Sequence, residues 1–426
     1  MHRTSDPSRF HPLPRVLDAC FDVGGEDLHL LAVIHGERIC RRVSNRSKEI
    51  ELMLTWLSRR AKLEGYANVR VVVEPTGVYH ELLFRIARMR GLETCLVSAE
   101  AASKMRVVIF GDYGKTDKRD PVAIADLAAR GHVLRHRNLS DTFSAMRSAG
   151  ILYARAEKNG IIAKNRIHRA MRRVFPDFDF SPSFLFGPSG RAVHKCTGFD
   201  PIRIGRSGEK RLTRRLKRIV PRIRNGSIDR LLKTAKMSAA SAPSPATHRV
   251  NLMDLDQAWQ DLFAAERRKH DARLLLENFY DSARELDPSL PAPQKGLASK
   301  LSLARLVAET GPFSDFGSWR ELLKYLGLNL CERQSGHFRG KTRISKKGRS
   351  LARHVVAQMV VPLVRKTRLL GPYYHYKRKV EKKPGPVAIT AAARKLIKIL
   401  WGWSKSGEEF DPARVFTCHG DLKAAA

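Results

Sequence analysis

The chain has 426 residues, 43% of them hydrophobic, and carries 79 Lys plus Arg against 42 Asp plus Glu, a formal net charge of +37. Such a length supports about two or three domains with a sizeable core, and such a charge points to a nucleic-acid partner, with a membrane surface as the weaker alternative. The longest apolar runs, such as VVAQMVVPLV at 355–364, fall short of the ~20 residues a bilayer span takes, and the N-terminus lacks the apolar centre of a signal peptide. No membrane association and a cytoplasmic, nucleoid-associated location are therefore expected.

Residues 1–15 read as a loose, proline-containing tail. RVLDACFDV (15–23), DLHLLAVIHG (27–36) and ERICRRVSN (37–45) read as strands, joined by turns short enough for antiparallel hairpins. RSKEIELMLTWLSRRAKLEG (46–65) carries Ile50, Leu52, Leu54, Trp56 and Leu57 at helical spacing. NVRVVVEP (68–75) is a short apolar run of the kind a buried strand shows, TGVYHELLFRIARMRG (76–91) a helix closed by Gly91, LETCLVS (92–98) a strand, and AEAASKMRVVIFG (99–111) a helix. Another helix is expected from about Thr116. Three hairpin-linked strands followed by alternating strands and helices predict a mixed sheet with helices on its faces, a pattern that suits an RNase H-like α/β domain over 16–135.

Residues 136–290 read as a helical, coiled-coil connector, with long helices at 136–177 and 250–287. These helices are candidates either for dimer or tetramer contacts or for an intramolecular hairpin. Between them, 178–202 reads as a loop-like insert. Residues 203–226 are densely basic, with Arg214, Arg215 and Arg218 as candidate nucleic-acid contacts, and KMSAASAPSPATH (236–248) reads as a flexible linker. The whole interruption covers 178–248. PSLPAPQ (288–294) marks the boundary to a mainly α-helical C-terminal domain over 291–426, with helices at 297–311, 316–328, 349–366 and 386–403 and a polar loop at 329–348. Six cysteines (Cys20, Cys40, Cys95, Cys196, Cys331, Cys418) show no CxxC spacing, which favours reduced thiols over a zinc site or disulfides.

GKTDKRDPVAIADLA (114–128) places Asp117 and Asp120 three residues apart, on one helix face, amid basic residues. Helix capping is one explanation. The other is a metal site. Asp22 falls near the end of the first strand and Glu74 at the end of the fourth, and neighbouring strand ends open on one crevice that a helix beside the sheet can face. Four carboxylates gathered there repel one another unless cations intervene. Magnesium takes hard oxygen ligands, and two ions about 4 Å apart can hold the attacking and leaving oxygens of a phosphodiester reaction. Asp18, Glu26, Asp27, Asp112 and Asp126 are the competing acids, Asp126 the strongest of them.

The loop NLCERQSGHFRGKTRISKKG (329–348) sets Ser335 before Gly336, among Arg333, Arg339, Lys341, Arg343 and Lys346. Guanidinium groups bind phosphate and stabilise charge on a transferring phosphoryl group. A serine there is a nucleophile only if something activates it; otherwise it belongs to an ordinary basic, nucleic-acid-contacting loop. Ser345 reads as a cap or a phosphate contact.

Taken together, FDVGGEDLHLLAV, VVVEPTGVYHELL, GKTDKRDPVAIADLA, YLGLNLCERQSGHFRGKTRISKKGRSLAR and GPVAITAAARKLIKILW resemble the motifs of the transposases, or recombinases, of the insertion-sequence one-ten family. The resemblance spans roughly 16–135 and 295–405. It implies an RNase H-like (RuvC-like) domain whose DEDD site, here Asp22, Glu74, Asp117 and Asp120, binds magnesium, and a nucleophilic serine, here Ser335, that joins DNA through a covalent phosphoserine. It further implies target and donor DNA as substrates, a structured guide (bridge) RNA, and a homo-oligomer that combines sites from different protomers. The alternatives are a metal-dependent RuvC-like structure-specific endonuclease, in which water attacks, and a non-catalytic nucleic-acid-binding protein.

Overall fold

The structure is a computed structural model that describes residues 15–75, 77–112, 119–332, 334–335, 338–340 and 342–415. They divide into two compact units, one ending at Asn138 and the other beginning at Leu139.

The first unit runs β1 (Val16–Val23), β2 (Asp27–Ile34), β3 (Glu37–Ser44), α1 (Ser47–Leu63), β4 (Asn68–Val73), α2 (Glu81–Met89), β5 (Glu93–Leu96), α3 (Ala99–Phe110), α4 (Asp120–Ala129) and β6 (Leu134–Arg135). The strands form one mixed sheet in the order β3-β2-β1-β4-β5-β6. β1, β4 and β5 pair in parallel; β2, β3 and β6 join antiparallel. The β2–β3 hairpin turns on His35 and Gly36, both at positive φ (48° and 89°), the backbone a tight two-residue hairpin needs. The α/β class and the hairpin-then-crossover order follow the sequence pattern, whereas β6, only two residues long, gave no sequence signal.

Alternation along β1 and β4 sends side chains to two cores. Leu17, Ala19, Phe21, Val71 and Val73 pack with Leu54 and Leu57 of α1 and with Leu83 and Phe84 of α2. Cys20 and Val72 face the other way, onto Ala102 of α3 and Ile124, Leu127 and Ala128 of α4. Burial pushes the Cys20 thiol far up and that of Cys95 up to about 11, so both are inert hydrophobes here. Five described cysteines are free thiols; Cys418 lies outside the described residues.

The second unit begins with α5 (Asp141–Val174). It continues through α6 (Pro182–Leu185), α7 (Pro188–Thr197), α8 (Pro201–Arg206), α9 (Glu209–Ile219) and α10 (Asn225–Ala240) to α11 (Pro245–Leu286). Then come α12 (Lys300–Thr310), α13 (Trp319–Tyr325), the two-residue strands β7 (Leu330–Cys331), β8 (Gln334–Ser335), β9 (Phe338–Arg339) and β10 (Arg343–Ile344), and helices α14 (Ser350–Leu363), α15 (Gly371–Lys379) and α16 (Gly385–Ser406). α5 and α11 run antiparallel. At one end Phe143, Met146 and Tyr153 meet Leu276 and Tyr280 in the core shared with α12, α14 and α16. At the other, Ile167, Met171 and Phe175 meet Leu255, Trp259 and Leu262. The long helices thus form an intramolecular hairpin.

That far end has its own core. Val193, Phe199, Ile204, Leu212, Leu216, Ile228 and Leu231 pack on the hairpin tip, with Phe178, Phe180 and Phe186 at the margin. This corrects two expectations. The segment 178–202 is not a loop but carries α6, α7 and α8, because its phenylalanines and Leu185 find a core. The segment 236–248 is not a flexible linker: it is the end of α10 and the start of α11, separated by Ser241–Ser244. Ser244 caps α11, its hydroxyl accepting from Thr247 N at 3.4 Å, and Pro245 takes the first helical turn, where a missing N–H costs nothing. No helix among the described residues is long and apolar enough to cross a membrane.

Candidate active site

Parallel pairing of β1 and β4 carries a register that ends at Phe21–Val73. One step further stand Asp22 and Glu74, on the face of Cys20 and Val72 rather than that of Phe21 and Val73. Pro75 has no N–H to continue the ladder, so β4 stops and Glu74 sits at its mouth. Asp22 is half-buried and Glu74 is 9% exposed. α3 and α4 cover this face and bring their own charged groups. Asp120 opens α4 at 1% exposure, and Arg106 of α3 is 7% exposed.

The Arg106 guanidinium joins two of these acids. Its Nη1 donates to Asp120 Oδ1 at 2.9 Å and to Glu74 Oε2 at 3.4 Å. Buried Nε has no partner among the described residues. Residue 119 holds the N-cap position of α4 and makes no side-chain capping bond, so Asp120 lies inside the first turn, not at the cap. Asp117 lies outside the described residues. Four of the five competing acids are accounted for by local cations. Asp18 accepts from Arg70 Nε at 2.6 Å and Nη2 at 2.9 Å. Asp27 pairs with Arg42, Asp112 with Arg119 and Asp126 with Arg130 one turn on. Glu26 is exposed.

The donor chemistry suits magnesium: Asp22, Glu74 and Asp120 offer only hard carboxylate oxygens, and two of them are buried beside one another around a positive charge. Among the described residues no group of three or more candidate ligands lies together; Glu74 and Asp120 share the guanidinium, and Asp22 stands at the adjoining strand end. Sequence reasoning missed Arg106. Its burial on the face of Ala102 sets it apart, and that burial leaves no mark in the sequence.

In the second unit Ser335 is exposed on the β8–β9 ribbon, opposite Phe338. A second ribbon, β7–β10, closes the base of the loop with Leu330 opposite Ile344 and Cys331 opposite Arg343. Ser345 N donates to Asn329 O at 2.8 Å and its hydroxyl bonds Asn329 Oδ1, which makes Ser345 a structural clasp. Arg353 Nη1 donates to Leu326 O at 3.1 Å and Gly348 O at 3.0 Å. A Cβ at position 348 would stand 2.4 Å from Tyr325 O, so the chain passes there only as glycine. Arg343 and Lys346 are exposed beside this base. Arg333 and Lys341 lie outside the described residues, as does the side chain of Arg339.

On α9, Leu212 and Leu216 are buried while Lys210, Arg211, Arg214 and Arg218 are exposed. Arg215 is different: half-buried, it donates Nη2 to Cys196 O at 2.9 Å and tethers α9 to the end of α7.

Two family models match the chain. One, described as a transposase and built on DEDD transposases of the IS110 kind, matches residues 19–176. The other, described as "Transposase IS116/IS110/IS902 family", matches residues 297–375. No curated protein matches. The first match contains the sheet with its strand-end acids and continues through α5; the second contains α12, the serine loop and α14. Together they cover more than half of the chain and leave the helical insert between them.

Proposed function

Because the chain belongs to the IS116/IS110/IS902 transposase family, we propose that it cuts and rejoins DNA through Ser335, assisted by an RNase H-like (RuvC-like) first unit whose Asp22, Glu74, Asp117 and Asp120 hold two magnesium ions. The observation that carries this reading is the meeting of Glu74 and Asp120, 46 residues apart in sequence, at one buried positive charge beyond the ends of parallel strands. Two carboxylates buried side by side are costly without cations, and the site lies inside the stretch that matches the DEDD transposases.

Ser335 Oγ attacks a backbone phosphorus. An Oγ–P ester forms, the P–O bond to one deoxyribose oxygen breaks, and the proton given up by the serine hydroxyl ends on that leaving oxygen. Attack by a hydroxyl of another strand reverses the step, so the ester conserves bond energy and no nucleotide triphosphate is needed. Bound magnesium would supply Lewis-acid stabilisation of the charge on the phosphate and the leaving oxygen. Arg343 and Lys346, with Arg333, Arg339 and Lys341, bind the flanking phosphates. The exposed bases of α9 hold nucleic-acid backbone. A structured guide RNA selects target and donor DNA, and a homo-oligomer combines a carboxylate site with a serine loop. The catalytic domains span 16–135 and 291–426.

Ser335→Ala and Asp120→Asn, assayed together, test the proposal. Both should lose strand exchange, and a protein–DNA adduct resistant to denaturant should form only with Ser335 intact. Cleavage that survives in Ser335→Ala assigns the attack to water and makes the protein an endonuclease. Binding with no chemistry in the unaltered protein makes it a nucleic-acid-binding protein whose acids are structural.

A further inference from the structure

Arg106 is the buried arginine of the first unit among the described residues, and it pairs with two different carboxylates, unlike Arg70. Arg70 meets Asp18 with two nitrogens on two oxygens, at 2.6 and 2.9 Å, the fork geometry in which a guanidinium is best satisfied. Arg106 reaches both its carboxylates through the single Nη1, one of them at 3.4 Å, and leaves a buried Nε with no partner among the described residues. One guanidinium carries one positive charge to two carboxylates. The space between Glu74 and Asp120 is therefore filled by a guanidinium whose hydrogen-bonding capacity is poorly used there. Of the residues of α3, only Ala102 and Arg106 are buried; Ala101 and Met105 pack beside them, and beyond Arg106 Val108 is 75% exposed.

We propose that Arg106 is a positioning residue that occupies the divalent-cation position between Glu74 and Asp120, keeps the two acids together while the ions are absent, and withdraws with the end of α3 when they bind. The inference rests on the carboxylate reading above. Magnesium offers each acid a stronger and more fully coordinated cation than Nη1 does, and the released guanidinium remains beside a site where a phosphate would arrive. Metal binding is then coupled to the freedom of α3, and Arg106 competes with the metal.

The test uses the full chain, with Mn²⁺ as the probe, followed by calorimetric titration and by amide hydrogen exchange along α3. In the unaltered protein, Mn²⁺ should accelerate exchange over the second half of α3. Arg106→Gln should bind Mn²⁺ about tenfold more tightly, the effect of about 1.4 kcal/mol of lost competition. Its melting temperature should fall without metal and recover with it. Arg106→Lys, which keeps the charge, should bind as the unaltered protein does. A guanidinium that is only structural lowers the melting temperature equally with and without Mn²⁺ and leaves the affinity unchanged; that result, or exchange in α3 unaffected by metal, overturns the proposal. If Arg106→Gln does not fold, the exchange measurement on the unaltered chain decides. Mn²⁺ binding abolished by Glu74→Gln but indifferent to Arg106 removes only this inference, whereas no binding by the unaltered protein removes the carboxylate reading as well.

Discussion

Arg349 grips Glu309 with two hydrogen bonds, Nε to Oε2 at 2.7 Å and Nη2 to Oε1 at 3.3 Å. Glu309 ends α12 in the core, 1% exposed, and Arg349 immediately precedes α14 just beyond the serine loop. The pair fixes where the loop returns to the helical core. Arg147 of α5 and Tyr325 of α13 donate to the Glu309 carbonyl, at 3.0 and 3.3 Å, and add two more elements to the same knot.

The two halves of that pair should not be equivalent. Arg349→Ala leaves a carboxylate buried without its cation, which costs about 3–5 kcal/mol. Glu309→Gln leaves a guanidinium that can turn to water and should cost less, about 1.5–3 kcal/mol, the worth of hydrogen bonds to a charged group. Urea denaturation of both variants checks the order, and equal costs would show that the loop base is held by Arg353 and the Asn329–Ser345 clasp instead.

Asp18 should be separable from the chemistry. Its two bonds to Arg70 close four residues before the candidate site along both strands. Asp18→Asn is expected to lower stability by about 1–2 kcal/mol and to leave Mn²⁺ affinity unchanged, whereas Glu74→Gln abolishes it. Titration of both variants gives the comparison.

Salt dependence should report the α9 face. Replacing Lys210, Arg211, Arg214 and Arg218 by glutamine removes four exposed charges. The slope of log affinity against log salt for duplex DNA or RNA should fall by about three to four if each contacts a phosphate. Arg215→Gln should instead act on folding, since its nitrogen is committed to the Cys196 carbonyl. An unchanged slope in the fourfold variant takes α9 out of the interface.

Acid should loosen the insert through His194. Burial pushes this imidazole below its ordinary value of 6.5, although Asp256 pulls it back upward. The ring stacks on Trp259 at 4.7 Å, with Phe199 and Phe263 around it. A folded pKa below the unfolded one means that the unfolded chain takes up the proton first. The stability contributed by the neutral ring is therefore full above pH 6.5 and is lost as pH falls through the folded value. Trp259 fluorescence during denaturation at pH 7.5 and pH 5.5 measures the change, and His194→Phe should flatten it.

The first unit was largely legible because its signals are local. Alternating Val, Leu and Ile, short turns and Gly91 announce strands and helices one at a time, and Pro75 tells where β4 must stop. Glu74 and Asp22 could be read as strand-end acids for the same reason. Arg106 could not: its partners lie 32 and 14 residues away, and within its own helix it is one more basic residue in a basic chain. The insert was misread because composition outweighed position. Ser, Ala and Pro in KMSAASAPSPATH suggested a linker, yet Ala and Met are good helix formers, and a serine followed by proline is what the start of α11 requires. The phenylalanines between 178 and 186 were legible as core residues only once a partner surface, the tip of the α5–α11 pair, was known.

Antiparallel pairing of α5 with α11 brings the chain back to the tip it left: after Val174 the path runs through five short helices and returns along α11, whose Leu255 and Trp259 share a core with Val174. Everything between packs on this one tip. A short turn in its stead would leave Phe143, Tyr153, Leu276 and Tyr280 undisturbed at the opposite end but would bare Ile167, Met171, Leu255 and Trp259, so its loss calls for polar replacements at the tip alone.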